Sequence, residues 1–230
     1  MTDPTATGKR AQFADLVEIM ALLRSPRGCP WDREQDHRSL RRCLLEEAYE
    51  VLEAVDRDDP EALCQELGDL LLQVVFHAQL AAEAGQFDIG DVIQGLHDKL
   101  VERHPHVFGD KTIETAEGVV EEWESLKRQQ RQQSPAEQMA DVPRALPALA
   151  RAQMVLRRAA RAGAGQTTEQ ARARLEQAAK ALQVGHQPQE SLGELLLAAV
   201  DLARLSGVEA EQALRERVER LAEEFGGKTR

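Results

Sequence analysis

Apolar residues recur at intervals of three and four along most of the chain, the spacing that places them on one face of an α-helix. Proline and glycine separate these periodic stretches. The pattern predicts helices over 11–25, 38–57, 60–84, 88–104, 115–133, 147–163, 168–183, 189–206 and 208–225. Because residues 134–146 are polar and punctuated by proline, we predict a linker there between two helical domains, 1–133 and 147–230.

The two halves of the chain resemble each other. ELGDLLLQVVFHAQL (66–80) aligns without gaps on SLGELLLAAVDLARL (191–205), and most of the leucine positions are identical. Upstream, LLEEAYE (44–50) corresponds to RLEQAAK (174–180). We therefore predict an all-α helical bundle built from two repeats.

The first acidic stretch lies in a helix whose apolar face is clear on a helical wheel. Over 44–55, Glu46 and Glu53 point away from the apolar face, whereas Glu47 and Glu50 lie beside it. Taken alone, this stretch is most simply explained as a solvated acidic face.

The second acidic stretch is harder to explain in that way. The helix around 66–76 is apolar on almost every side, which predicts that it is buried, and Glu66 and Asp69 share one edge of it. A short turn at 58–60 predicts that the two helices pack as an antiparallel pair. Four carboxylates would then converge, which requires protons or a metal, and oxygen ligands favour Mg²⁺ or Mn²⁺ over zinc.

Composition and charge narrow the class of protein. Aromatic residues make up only 3% of the chain, and 40 acidic against 29 basic side chains give a net charge of −11. This balance argues against non-specific binding to nucleic acid or to an anionic membrane. Three cysteines without CxxC spacing and the lack of a long apolar segment predict a reduced, soluble, cytoplasmic protein.

Four motifs together resemble the MazG family, the all-α nucleoside triphosphate pyrophosphohydrolases. They are GCPWDREQ, LLEEAYEVLEAV, ELGDLLLQVVFHAQL and DKLVERHPHVFGD, in that order. The resemblance runs from about residue 14 to about residue 131, and the weaker second copy, which begins at DVPRALPALARAQ, is also similar to MazG.

The resemblance implies an enzyme that converts a nucleoside triphosphate, (d)NTP, into (d)NMP and pyrophosphate by attack of water on the α-phosphorus. It implies that Mg²⁺, with Mn²⁺ as a possible substitute, is bound by Glu47, Glu50, Glu66 and Asp69 with support from Asp98. Two or more ions would neutralise the triphosphate and activate the water. We expect Glu50 to be the general base, with Glu46 as the second choice.

The resemblance also implies residues that bind the substrate. Lys99 and Arg103 lie one helical turn apart and would hold phosphate oxygens, although a solvated charged face is the commoner meaning of such a pattern. Trp123 and Lys127 would lie near the nucleotide, yet a lone tryptophan is more often part of a core. Trp31 would either line the base pocket or cap the core. We expect His104 and His106 to be structural rather than zinc ligands.

The second copy departs from the family pattern at the acidic positions. Gln177, Lys180, Ser191 and Glu194 stand where the metal ligands belong, and Glu224 stands at the distal arginine position. We therefore expect the second repeat to be degenerate and inactive, kept for packing, dimerisation or regulation. Because the family builds its sites from paired helical hairpins, a homodimer is expected.

Two other functions stay open at this point. A carboxylate-bridged di-iron bundle would need ExxH pairs on its inner helix faces, whereas this chain has ExxD and His77 lies too far along the helix. A non-enzymatic helical interaction module would carry its acids only for solubility. The leading hypothesis is a nucleotide-pool house-cleaning or regulatory enzyme, with no preference among nucleotides evident from the sequence.

Overall fold

A computed structural model of the chain describes residues 10–113, 115, 116, 118, 119, 122, 123, 126, 134–184 and 187–226. The chain divides into two units, Met1–Trp123 and Glu124–Arg230. The first contains α1 (Phe13–Arg24), α2 (Pro30–Glu34), α3 (Arg41–Asp56), α4 (Pro60–Glu83), α5 (Ile89–Arg103) and α6 (Pro105–Phe108). The second contains α7 (Pro135–Ala140), α8 (Ala148–Ala159), α9 (Thr168–Val184), α10 (Pro188–Leu205) and α11 (Ala210–Gly226). No strand occurs among these residues, so the predicted all-α class is confirmed.

The α3–α4 hairpin is fixed by the turn between its helices. Asp58 adopts a left-handed conformation with φ 51°, and the Asp59 carboxylate accepts hydrogen bonds from the backbone N–H groups of Glu61 and Ala62 at 3.1 and 3.0 Å. Pro60 occupies the first helical position, where its missing N–H is not needed. The short turn reverses the chain, so that α4 packs back along α3.

The core of the first unit lies around the C-terminal half of α4. Its buried members are Met20, Leu40, Val75, Phe76 and Leu80, with Leu16, Val17, Leu72 and Ile89 packed against them. They come from α1, α4, the start of α5 and the residue before α3. The core therefore fixes the first helix and the entrance to α3 on one end of α4.

Arg24, at the end of α1, joins three elements. Its guanidinium forms a bidentate pair with Glu83 of α4 at 2.8 and 2.7 Å. It also donates hydrogen bonds to the carbonyls of Asp32 and Gln35 in and after α2, and it lies 5.5 Å from the ring centre of Phe76. The side chain is only 8% exposed. Arg24 thus holds the α2 segment against α1 and α4.

The prediction that α4 is buried on all sides is wrong for one face. Leu67 is 49% exposed, and Leu71 and Val74 are each 39% exposed. Further exposed apolar side chains lie on α3 and α5, at Leu45, Leu52, Ile93, Leu96 and Leu100. The reason is that α1 covers only part of α4, and α5 has no buried residue of its own.

The second unit is built around another hairpin, α9–α10, against which α8 packs. Gln153 of α8 is buried and links it to the turn after α10. Its Nε2 donates to the carbonyl of Val208, and its Oε1 accepts from the N–H of Ala210, both at 2.8 Å. A π-helical turn, Ala160–Ala164, follows α8, with Gly163 at φ 84°.

The predicted linker 134–146 is partly helical, because it contains α7, which Ser134 and Glu137 cap reciprocally. The predicted division into domains and the internal repeat stay predictions. In the part of the chain that the structure describes, no helix is both long enough and apolar enough to cross a bilayer.

Candidate metal centre

Three carboxylates meet between α3 and α4. Glu47 of α3 and Glu66 and Asp69 of α4 each place one oxygen within 4.8 Å of the others. Glu66 and Asp69 are three residues apart, so their side chains leave α4 on one face. The antiparallel hairpin brings Glu47 opposite them. The structure therefore brings together three of the four predicted principal ligands.

The cluster concentrates negative charge without a basic partner. Among the described residues, none of Glu47, Glu66 and Asp69 forms an ion pair. Burial raises the pKa of the Glu47 carboxyl above its ordinary value of 4.5, and the charges of Glu50 and Asp69 raise it further. A proton or a cation would relieve this repulsion.

The donor set fits a hard divalent cation. Three carboxylates at this spacing offer the oxygen ligands that Mg²⁺ and Mn²⁺ prefer, and substrate oxygens and water would complete the shell. No histidine or cysteine joins the cluster within the described ranges. Without imidazole ligands, the arrangement does not support the di-iron alternative.

The two candidates for the general base have different surroundings. Glu50 is exposed and its charge raises the pKa of Glu47, so it lies at the edge of the cluster but outside the 4.8 Å group. Glu46 is exposed and forms an ion pair with Arg42 at 2.7 Å. Since that pair occupies Glu46, the geometry agrees better with Glu50. Both roles stay predictions.

The predicted residues of α5 do not join the three-carboxylate group. Asp98 accepts a hydrogen bond from Gln94 at 2.7 Å and lies 3.0 Å from the His97 ring nitrogen. Both contacts lower the pKa of the Asp98 carboxyl, and the contact with His97 has the larger effect. Lys99 is exposed and Arg103 is partly buried. A role for these three residues in binding metal or phosphate stays a prediction.

The two tryptophans differ in their surroundings. Trp31 lies in α2 and is 55% exposed, so it does not cap the core. Trp123 is partly buried and meets the His104 ring edge-on at 5.0 Å, while its indole N–H is buried with no partner among the described residues. His106 lies beside His104, with ring centres 5.6 Å apart. Lys127 lies outside the described residues.

The second unit has a cleft of about 470 Å³ between α9 and α10. Its lining includes three of the positions that correspond to metal ligands, together with a guanidinium: Gln177, Ser191, Glu194 and Arg174. Arg174 lies 3.4 Å from Glu194. The cleft is also lined by Glu190, so two acids remain, one of them beside a cation. That the second copy is inactive stays a prediction.

Sequence reasoning missed a buried polar residue beside the acidic cluster. Gln73 of α4 is 6% exposed, and its Oε1 has no hydrogen-bond partner in the described structure. The buried Nε2 of His77 likewise has none, while its Nδ1 lies 2.8 Å from Nδ1 of His37. The spacing of Gln73 and His77, four and eight residues after Asp69, was the available signal.

Comparison with known proteins assigns the segment that contains the α3–α4 hairpin to a known domain family. The model of the MazG nucleotide pyrophosphohydrolase domain matches residues 35–108. A Thermotoga maritima protein, named nucleoside triphosphate pyrophosphohydrolase/pyrophosphatase MazG, is 40% identical over 217 residues, 93% of this chain and 84% of the relative. An Escherichia coli nucleoside triphosphate pyrophosphohydrolase is 42% identical over 225 residues, 93% and 86% of the two chains. A Mycolicibacterium smegmatis protein of the same name is 44% identical over 155 residues, 66% of this chain and 47% of its own length.

Proposed function

The chain belongs to the MazG family, and on that premise we propose that it is a Mg²⁺-dependent nucleoside triphosphate pyrophosphohydrolase. It would hydrolyse a (d)NTP to a (d)NMP and pyrophosphate, which is a hydrolase reaction on an acid anhydride. The observation that carries the proposal is the group of three carboxylates, Glu47, Glu66 and Asp69, within 4.8 Å and without a basic partner in the described residues.

Each residue of the proposed site has a role that follows from its chemistry. Glu47, Glu66 and Asp69 would hold the metal, with Glu50 beside them. When bound, Mg²⁺ neutralises phosphate charge and favours ionisation of water. Glu50, which is exposed and lies near Glu47 on α3, is proposed to accept the proton of the attacking water.

The acidic residues cannot neutralise the negative charge of the substrate's phosphates, so positive charge must come from other residues. Lys99 and Arg103 of α5 and Lys127 are proposed to supply it, because each offers N–H donors to phosphate oxygens. Asp98 would support a further metal, and Trp31 and Trp123 would contact the nucleoside. The proposed setting is the cytoplasm, with neither nucleic acid nor membrane as a partner.

A homodimer would cover the apolar faces that the single chain leaves open. Ile93, Leu96 and Leu100 are each 47–51% exposed on one side of α5, and Leu67 of α4 is 49% exposed. Patches of this kind on a soluble protein favour association. We propose that α5 and the open face of α4 pack on a second copy, as the family's paired hairpins imply.

Release of pyrophosphate from a panel of (d)NTPs, with and without Mg²⁺, tests the function. Asp69→Asn and Glu50→Gln are expected to lower kcat at least about 100-fold, because even changes around a metal's direct ligands cost about 10–100-fold. Glu194→Gln in the second copy is the matched control and should keep wild-type turnover. Retained turnover in Asp69→Asn would refute the site, and failure of every (d)NTP as substrate would refute the function.

A further inference from the structure

Four polar side chains follow one line along α4. At about 100° per residue, Glu66, Asp69, Gln73 and His77 fall within a sector of about 80°. The first two belong to the proposed metal centre. The second two continue the same face for two more turns toward the C-terminal end of the helix.

Gln73 and His77 destabilise the fold at this position. Gln73 is 6% exposed and its Oε1 is buried, as is Nε2 of His77, and neither atom has a partner in the described part of the chain. A buried polar atom without a hydrogen bond destabilises a fold by about 1–3 kcal/mol. Residues that destabilise the fold in this way need an explanation other than packing.

The predicted second copy of the hairpin lacks this pair. In the alignment of 66–80 with 191–205, Gln73 corresponds to Ala198 and His77 to Leu202. Ala198 is 6% exposed, so the equivalent site is equally buried but apolar. The copy that has lost the acids has therefore also lost this pair, which associates Gln73 and His77 with ligand chemistry rather than with folding.

The chemistry of the pair suits an uncharged ligand group. A carboxamide and an imidazole both donate and accept hydrogen bonds. The rings of His37 and His77 are stacked, with centres 5.1 Å apart and an Nδ1 to Nδ1 distance of 2.8 Å. Burial lowers the pKa of the His77 imidazole and the neighbouring His37 lowers it further, which favours the uncharged form of the ring. The pair carries no fixed positive charge, so it suits an uncharged hydrogen-bonding group better than a phosphate, which binds most strongly to cationic donors.

The position of the pair along α4 suits the non-phosphate end of a nucleotide. At about 1.5 Å per residue, Gln73 lies about 6 Å and His77 about 12 Å beyond Asp69 along the helix axis. We propose that Gln73 and His77, with His37 orienting the His77 ring, hydrogen-bond the nucleoside part of the substrate and select among nucleoside triphosphates. This inference rests on the proposed function, since it takes the phosphates to lie at the carboxylate group.

Binding measurements can distinguish contacts to the nucleoside from contacts to the phosphates. Calorimetry with Mg²⁺ would compare an α,β-methylene nucleoside triphosphate with inorganic tripolyphosphate. Gln73→Ala and His77→Leu, which introduce the residues of the second copy, are expected to weaken the nucleotide about 10-fold or more, because each leaves a hydrogen bond unmade. Binding of tripolyphosphate should change less than about 2-fold. Gln65→Ala, an exposed glutamine of the same helix, is the matched control.

Steady-state rates give a second readout. The ratio of the highest to the lowest kcat/KM among ATP, GTP, CTP and UTP should fall about 10-fold in Gln73→Ala. A site that hydrogen-bonds its substrate discriminates strongly against nucleotides that cannot form the bond, and the substitution removes that discrimination. Equal weakening of nucleotide and tripolyphosphate, or no weakening of either, would overturn the inference. Wild-type protein that binds neither molecule would instead refute the proposed function. Melting curves show whether each variant is folded, and His77→Leu serves if Gln73→Ala is not.

Discussion

Glu47→Gln is expected to stabilise the protein without metal and to destabilise it when Mg²⁺ is bound. In the absence of a cation, Glu47 faces the carboxylates of Glu66 and Asp69 within 4.8 Å. Glutamine has nearly the same shape but no charge, so the substitution removes the repulsion and keeps the packing. It also removes one metal ligand, so the sign of the effect should reverse with Mg²⁺.

The size of the effect follows from the spacing of the charges. Two unit charges at this distance repel by about 3.5 kcal/mol at an effective dielectric constant of 20, and by about 0.9 kcal/mol in water. The substitution removes two such pairs, which gives about 2–7 kcal/mol. Because Asp69 is exposed and Glu47 only partly buried, the lower end applies. The melting temperature of the metal-free protein should therefore rise by roughly 5 °C.

Thermal unfolding in EDTA and in saturating Mg²⁺ measures the change in stability without and with the metal. Wild-type protein should be stabilised by saturating Mg²⁺, by about 3 kcal/mol at 100 times Kd, and Glu47→Gln should not be. The matched control is Glu53→Gln on the same helix, which loses only an exposed ion pair with Arg57 and should shift by less than about 1 kcal/mol. Equal melting curves for wild type and Glu47→Gln in EDTA would refute the electrostatic reasoning.

Two further predictions concern pH and association. Because the pKa of Glu47 is raised, its proton stabilises the metal-free fold below the ordinary value of 4.5, and that contribution is lost as the pH rises through the raised pKa. The stability difference between wild type and Glu47→Gln in EDTA should therefore vanish under acid conditions. The affinity for Mg²⁺, measured by calorimetry, should weaken as the pH falls. An affinity that does not change with pH would contradict this reasoning. Leu96→Asp should convert the proposed dimer to a monomer in light scattering, whereas Glu102→Gln on the same helix should not; a monomeric wild type would contradict the dimer.

The hairpin and its acids could be predicted from the sequence because both are set by local chemistry. The turn at 58–60 and the apolar periodicity fix which faces of α3 and α4 meet. Glu66 and Asp69 stood out as acids in a leucine-rich helix. Their meeting with Glu47 then follows from antiparallel packing alone.

The features that the sequence did not predict depend on packing that no local pattern shows. Leu71 and Val74 look like core residues, but each is 39% exposed, because the described helices of the first unit cover their side of α4 only in part. Gln73 looks like an ordinary polar residue within an apolar run. Its burial, with only 6% of the residue exposed, depends on the packing of the assembled unit and not on the local sequence.

The contacts of Arg24 limit how short a working fragment of this protein can be. Its side chain is 8% exposed, and its counter-ion, Glu83, lies 59 residues further along the chain. A fragment that ends before Glu83 would leave a buried charge uncompensated, which typically destabilises a protein by about 3–5 kcal/mol. Any attempt to isolate the acidic hairpin for ligand studies must therefore begin before Arg24 and continue past the end of α4.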